Sequence, residues 1–167
     1  MCKLRIRQAK QEDMSQILPI YAYARTFMAE TGNATQWADH FPPEELLAAD
    51  VERRQLYVVE KAGTIHGVFA FIIGKDSTYA VIEQGAWRSE STYGTIHRVA
   101  GDGVVHAIFG EIVSFCEKNI AHLRIDTHED NKIMQHLIEK NGFVKCGIIH
   151  VADGSPRIAY EKLPDVD

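Results

Sequence analysis

The longest apolar run in the chain is GVFAFIIG, residues 67–74, and its shortness sets the first bound on the fold. A bilayer-crossing helix needs about 20 such residues, so the apolar positions are expected to pack against one another in a core of short elements. The run sits in a longer pattern, LYVVE then TIHGVFAFIIG, with Ala62–Gly63 between the two halves. Two β-rich segments around a glycine turn read as an antiparallel hairpin.

The other elements follow from periodicity. LRIRQA alternates and reads as a strand. QEDMSQILPIYAYARTFMAETG carries Met14, Ile17, Leu18, Tyr21, Arg25 and Met28 at helical spacing, with Glu12 and Asp13 in its first turn and Gly32 at its end. Pro19 is expected to kink that helix. PPEELLAADVERR is a second, short helix opened by prolines. YGTIHRVA is a strand. Residues 103–118, GVVHAIFGEIVSFCEK, form a helix with Val105, Ile108, Ile112 and Phe115 on one face. HLRIDT is a strand, 131–141 a helix closed by Gly142, and FVKCGIIHV and RIAYEKL pair around the DGSP turn. The order β-α-α-β-β-β-α-β-α-β-β implies an α/β fold, a mixed sheet with helices on both faces.

At 167 residues the chain is expected to form a single domain, 1–167, with its core over about 3–163 and PDVD as a loose tail. Apolar residues make up 46% and charged residues 25%, the balance of an ordinary globule. A net charge of −5 and scattered Lys and Arg argue against a nucleic-acid surface. Cys2, Cys116 and Cys146 make an odd set with no CxxC spacing, which suits reduced thiols in a cytoplasm. The first residues lack the apolar core of a signal peptide. No HExxH or ligand pair at metal spacing is present, and DTHEDN has Asn131 where a calcium loop needs glycine, so no metal is expected. Cys116 and His106 lie ten residues apart on one predicted helix, too far to act as a nucleophilic pair.

The element order, together with NKIMQHLIEKNGF at 131–143, resembles the GNAT superfamily of N-acetyltransferases over essentially the whole chain. The stretch VAGDGVVHAIF is similar to that family's strand end, loop and helix start. The family pattern there is Arg or Gln, two residues, Gly, one residue, then Gly or Ala; Val104, Ala107 and Phe109 stand at those positions. The resemblance implies a central twisted mixed sheet of six to seven strands with about four helices. It also implies acetyl-CoA as co-substrate, with its pyrophosphate on the main chain of Val104, Val105, His106, Ala107, Ile108 and Phe109. A helix N-terminus offers unpaired N–H groups and partial positive charge, so no cationic side chain is required. Asp102 could instead cap that helix, and Phe109 could either crowd a phosphate or face the core.

The same resemblance implies that the fourth and fifth strands splay, with the pantetheine arm along the main chain of His97, Arg98 and Val99, and with Asn131 and Met134 beside it. Asn131 is equally a good helix cap. The family's usual tyrosine acid falls at Ile138, so another group or water must protonate the thiolate. A base would help an amine with a pKa near ~10 to attack. Asp126 matches a fifth-strand position that carries an acid in some relatives, and an Asp126–Arg124 pair is the plainer alternative. Histidine as a residue type suits proton transfer near neutrality, which makes His128 a candidate, against the alternative of a solvated loop residue. Glu83 and His97 are further candidates. Between the first two helices, GNATQWADHF either walls the acceptor pocket through Trp37, His40 and Phe41, with Glu30 and Asp39 attracting a cation, or forms an apolar lid. The expected partner is a small-molecule or protein amine, with no nucleic acid and no membrane; a homodimer through the C-terminal strands is a further expectation. The alternative function is a non-catalytic acyl-CoA-binding module.

Overall fold

The computed structural model describes residues 3–164; Cys2 and the last three residues of the PDVD tail lie outside them. The element order is the expected one: β1 (Arg5–Gln8), α1 (Met14–Glu30), α2 (Glu44–Glu52), β2 (Leu56–Lys61), β3 (Thr64–Ile73), β4 (Gly94–Gly101), α3 (Ile108–Asn119), β5 (Leu123–Thr127), α4 (Lys132–Lys140), β6 (Val144–His150) and β7 (Pro156–Lys162). Two 3-10 turns, Gln11–Asp13 and Ser77–Tyr79, are added. The seven strands run β1-β2-β3-β4-β5-β7-β6, parallel between β4 and β5 and antiparallel in the pairings of β1 with β2, β2 with β3, β5 with β7, and β6 with β7.

The chain divides into two compact units, Met1–Phe71 with His97–Phe115, and Ile72–Ile96 with Cys116–Asp167. In the first, β2 and β3 pair Val58 with Val68 and Tyr57 with Phe69, so alternate residues face opposite ways. Leu56, Val58, Val68 and Ala70 pack with Ile17, Tyr21 and Ala24 of α1. Tyr57 and Phe69 stack at 5.4 Å and meet Phe115 of α3 at 5.3 and 6.2 Å. β3 is apolar on both faces because helices cover both. Ile17, Leu47, Leu56 and Val58 are 0% exposed, each burial contributing roughly 1.5–3 kcal/mol.

α1 runs from Met14 to Glu30 with Pro19 inside it. Two local expectations are corrected. Asp13 is not a free first-turn anion. It accepts two hydrogen bonds from Arg7, at 2.8 and 3.0 Å, and the Lys10 N–H at 2.8 Å. α3 begins at Ile108 rather than 103, because Gly103 and Ala107 adopt left-handed φ values of 77° and 63°, which a helix cannot include.

In the second unit, Tyr79, Tyr93, Ile149 and Ala159 form a small core with Ile82, Trp87 and Val151 against it. The segment before β4 is tied to the edge strand β6: Glu83 and Ile148 exchange both main-chain hydrogen bonds at 2.8 Å. Gly85 permits this approach, since a Cβ there would collide with the Cys146 carbonyl.

Candidate functional site

The first unit holds the loop from β4 into α3. The Ile108 side chain lies where a Cβ on Gly67 would be 3.1 Å from its Cγ2 and one on Gly101 3.5 Å from its Cδ1. Gly67 therefore lets the head of α3 sit down on β3, while a Cβ on Gly101 would meet Ile108 at ordinary contact distance. Ala107, where the resemblance has glycine, takes the left-handed conformation that glycine would take freely. Glu111 makes the first intrahelical bond, N–H to the Ala107 carbonyl at 3.5 Å. The N–H groups of Ile108, Phe109 and Gly110 precede that bond and lack an intrahelical partner by geometry. Phe109, 5% exposed, belongs to the core.

Asp102 takes part of the loop for itself. Its Oδ1 accepts the Val104 N–H at 2.9 Å and its Oδ2 lies 2.7 Å from His66 Nδ1. Val104 is thus corrected as a main-chain donor to a ligand: that N–H is already bound. Its side chain is 68% exposed, so nothing cationic stands at the position where the family has Arg or Gln. The N-capping of α3 by Asp102 is also corrected, because the carboxylate closes the preceding turn.

Further back on β4, His97, Arg98 and Val99 are half-buried. Arg98, inside β4, takes a left-handed φ of 53°. Its guanidinium makes two 3.0 Å hydrogen bonds to Asp50 of α2, which is 0% exposed. Its carbonyl accepts the Tyr21 hydroxyl at 2.6 Å, and burial pushes that phenol above its ordinary pKa. Asp50 also accepts Gln55 Nε2 at 2.9 Å. The sequence reading missed Asp50. The signal was there, a carboxylate three residues after Leu47 on the buried face of α2.

The acceptor-pocket candidates separate. Trp37 is in the core, edge-on to Tyr21 with ring centroids 5.7 Å apart and 6.2 Å from Phe41. Asp39 and His40 are exposed and pair with each other at 3.2 Å, which keeps Asp39 below the usual carboxylate range. Glu30 is exposed at the end of α1.

In the second unit, Asp126 of β5 does not pair with Arg124. Its Oδ2 accepts the Tyr79 hydroxyl at 2.6 Å. Burial, and then the charge of Asp126, pushes the Tyr79 phenol well above its ordinary pKa. Arg124 turns instead to Glu161 at 3.2 Å, donates to the Ser89 carbonyl at 2.7 Å, and sits 3.9 and 4.0 Å from the Trp87 and Tyr93 ring centres. Glu161, 0% exposed, also receives the Arg88 N–H at 2.8 Å and contacts His122 Nε2 at 2.7 Å. His128 is tied down: its Nδ1 accepts the Asp130 N–H at 3.0 Å, which places a neutral ring's proton on Nε2. Asn131 caps α4 by accepting the Met134 N–H at 3.0 Å. Glu83 has an exposed side chain, and Ile138 is fully buried.

β4 and β5 pair at Gly94↔Leu123 and Thr95↔Arg124. The hydroxyls of Thr95 and Thr127, each on a residue 1% exposed, have no hydrogen-bond partner among the described residues. Buried hydroxyls are normally satisfied, so these two are exceptions in the interior of the second unit. Cys116 and Cys146 are buried free thiols; burial, then Glu161, pushes Cys146 up to about 11, so it is no ready nucleophile. Among the described residues no cluster suits a metal ion, and no helix is long and apolar enough to cross a membrane.

No family model matches the sequence, and no curated protein does. Solved structures match over nearly the full length. A GNAT-family acetyltransferase from Streptococcus agalactiae is 28% identical with TM-score 0.88, covering 98% of this chain and 96% of that one. A GNAT-family acetyltransferase from Listeria monocytogenes is 18% identical, TM-score 0.69, covering 95% and 94%. The Salmonella typhimurium protein yncA, solved with its cofactor acetyl-CoA, is 18% identical, TM-score 0.61, covering 98% and 95%.

Proposed function

The chain belongs to the GNAT superfamily, and from that premise we propose that it is an acetyl-CoA-dependent N-acetyltransferase acting on a primary amine of a small molecule or protein. Bound acetyl-CoA supplies a thioester; the amine nitrogen attacks its carbonyl carbon, the C–S bond breaks, the thiolate takes up a proton and the new amide gives one up. The observation that carries the reading is the head of α3. A left-handed Ala107 leaves the N–H groups of Ile108, Phe109 and Gly110 ahead of the first helical bond, the arrangement that binds a diphosphate without a cationic side chain. The acetyl-CoA solved with yncA supports the same ligand for this fold.

The main chain of His97–Val99 is assigned to the pantetheine arm by the resemblance. Asp126 is the proposed base, its carboxylate held in direction by Tyr79; His128, Glu83 and His97 are the alternatives. Val105, His106, Asn131 and Met134 remain assigned to the cofactor by resemblance, and Glu30, Asp39, His40 and Phe41 to the acceptor. The chain is proposed to act in the cytoplasm. A homodimer through the C-terminal strands is proposed on the resemblance.

A second reading, an acyl-CoA-binding module without turnover, is favoured by the fully buried Ile138 at the position of the family's tyrosine acid. Two measurements test these readings. Calorimetric titration with acetyl-CoA is expected to show saturable binding, and no binding removes both. A thiol-release screen across small amines and amine-bearing peptides is expected to find turnover, and silence with binding intact leaves the module. In the enzyme, Asp126→Asn is expected to lower kcat at least tenfold with acetyl-CoA affinity kept; an unchanged rate excludes Asp126 as the base.

A further inference from the structure

Arg98 is the least expected backbone in the first unit: a charged, half-buried residue inside a strand, held at φ 53°. A residue other than glycine avoids this conformation by roughly 1–2 kcal/mol, so surrounding contacts must enforce it. Those contacts are specific. Asp50, 0% exposed, takes the guanidinium in a two-bonded fork, and Gln55 donates to the same carboxylate at 2.9 Å. Tyr21, also 0% exposed, donates to the Arg98 carbonyl at 2.6 Å. The side chain is anchored to α2 and the carbonyl to α1, so the residue is gripped at both ends. A left-handed residue in a strand bends it and takes neighbouring main-chain groups out of regular pairing.

We propose that Tyr21 and Asp50 are positioning residues that hold the left-handed kink at Arg98 and thereby aim the main chain of His97–Val99 at the acyl-pantetheine arm. The inference rests on the acetyl-CoA reading above and deepens it. It assigns a functional task to an ion pair that would otherwise be costly, because burying two charges is rarely stabilising in itself.

The kink serves only the arm, whereas the diphosphate belongs to the head of α3. Two ligands therefore separate its effect from general damage to the fold: acetyl-CoA, which has the arm, and ADP, which has the adenosine and diphosphate without the arm. Affinities are measured by calorimetry on the full chain, with circular dichroism to check folding. Tyr21→Phe removes one hydroxyl and keeps the ring; it is expected to weaken acetyl-CoA about fivefold to tenfold and leave ADP within about twofold. Arg98→Lys keeps the charge but loses the fork, and is expected to show the same selectivity at larger size. Equal weakening of both ligands, or none of either, overturns the inference while the acetyl-CoA reading stands. If neither ligand binds the unmodified protein, that reading falls and the inference falls with it.

Discussion

Replacing Ala107 with glycine should stabilise this protein, against the usual effect of putting glycine at the head of a helix. At φ 63° the alanine Cβ is crowded against the backbone, a cost of roughly 1–2 kcal/mol for a residue other than glycine. Glycine loses more freedom on folding, which takes back roughly 0.5–1 kcal/mol. The Ala107 methyl is exposed, so no buried contact is lost with it. The net expectation is a gain of about 0.5–1 kcal/mol, a rise of about 1–3 °C in Tm for a chain of this length. Differential scanning calorimetry with urea titration measures both quantities. Ala107→Val is the control, expected to lose at least about 1 kcal/mol because a β-branched side chain tolerates positive φ worst. Acetyl-CoA affinity should be unchanged in the glycine variant, since the loop keeps its shape. If Ala107→Gly instead costs ~0.8–1 kcal/mol, the ordinary penalty inside a helix, residue 107 is helical. The helix then starts near 103, and the open first turn behind the acetyl-CoA reading does not exist.

Three other substitutions test separate parts of the structure. Asp102→Asn keeps an acceptor for the Val104 N–H but removes a charge beside the proposed diphosphate position, and should tighten ADP binding two- to fivefold, about 0.5–1 kcal/mol. A tenfold loss would mean that the His66–Asp102 contact builds the loop. Glu161→Gln leaves buried Arg124 without its counter-charge and should cost about 3–5 kcal/mol by urea unfolding; a change under about 1 kcal/mol refutes the role given to that cluster. Asp13→Asn should cost about 2 kcal/mol at pH 7. Hydrogen bonds from Arg7, and then from the Lys10 N–H, hold the Asp13 carboxyl below its ordinary pKa. Its stabilisation is therefore complete above the unfolded value and fades as pH falls through the folded one. The gap between wild type and variant should close below about pH 4, and a gap constant down to pH 2 would rule the ion pair out.

The order of elements was legible because each has its own period, and a wrong period would have had no partner face to bury. The β2–β3 hairpin could be read from Ala62–Gly63, and α4 from Asn131 at its start and Gly142 after its end. The start of α3 could not. VVHA has acceptable helical residues, and only the local backbone shows that Gly103 and Ala107 break the helix before Ile108. The direction of Phe109 was undecidable for a related reason: one residue's shift in helix start rotates each side chain by about 100°.

Charge partners were the least legible feature. Arg124 and Asp126 are two apart on one strand and read as neighbours, yet one binds Glu161 and the other Tyr79, 37 and 47 residues away along the chain. The sequence by itself determined which segments are strands and helices, and that a glycine-marked loop leads from β4 into α3, because those properties depend on residues within a few positions of one another. Only the tertiary structure decided which carboxylate meets which cation, how Arg98 is held at φ 53° inside β4, and that Phe109 turns into the core, because each depends on burial and distance between residues far apart in the chain.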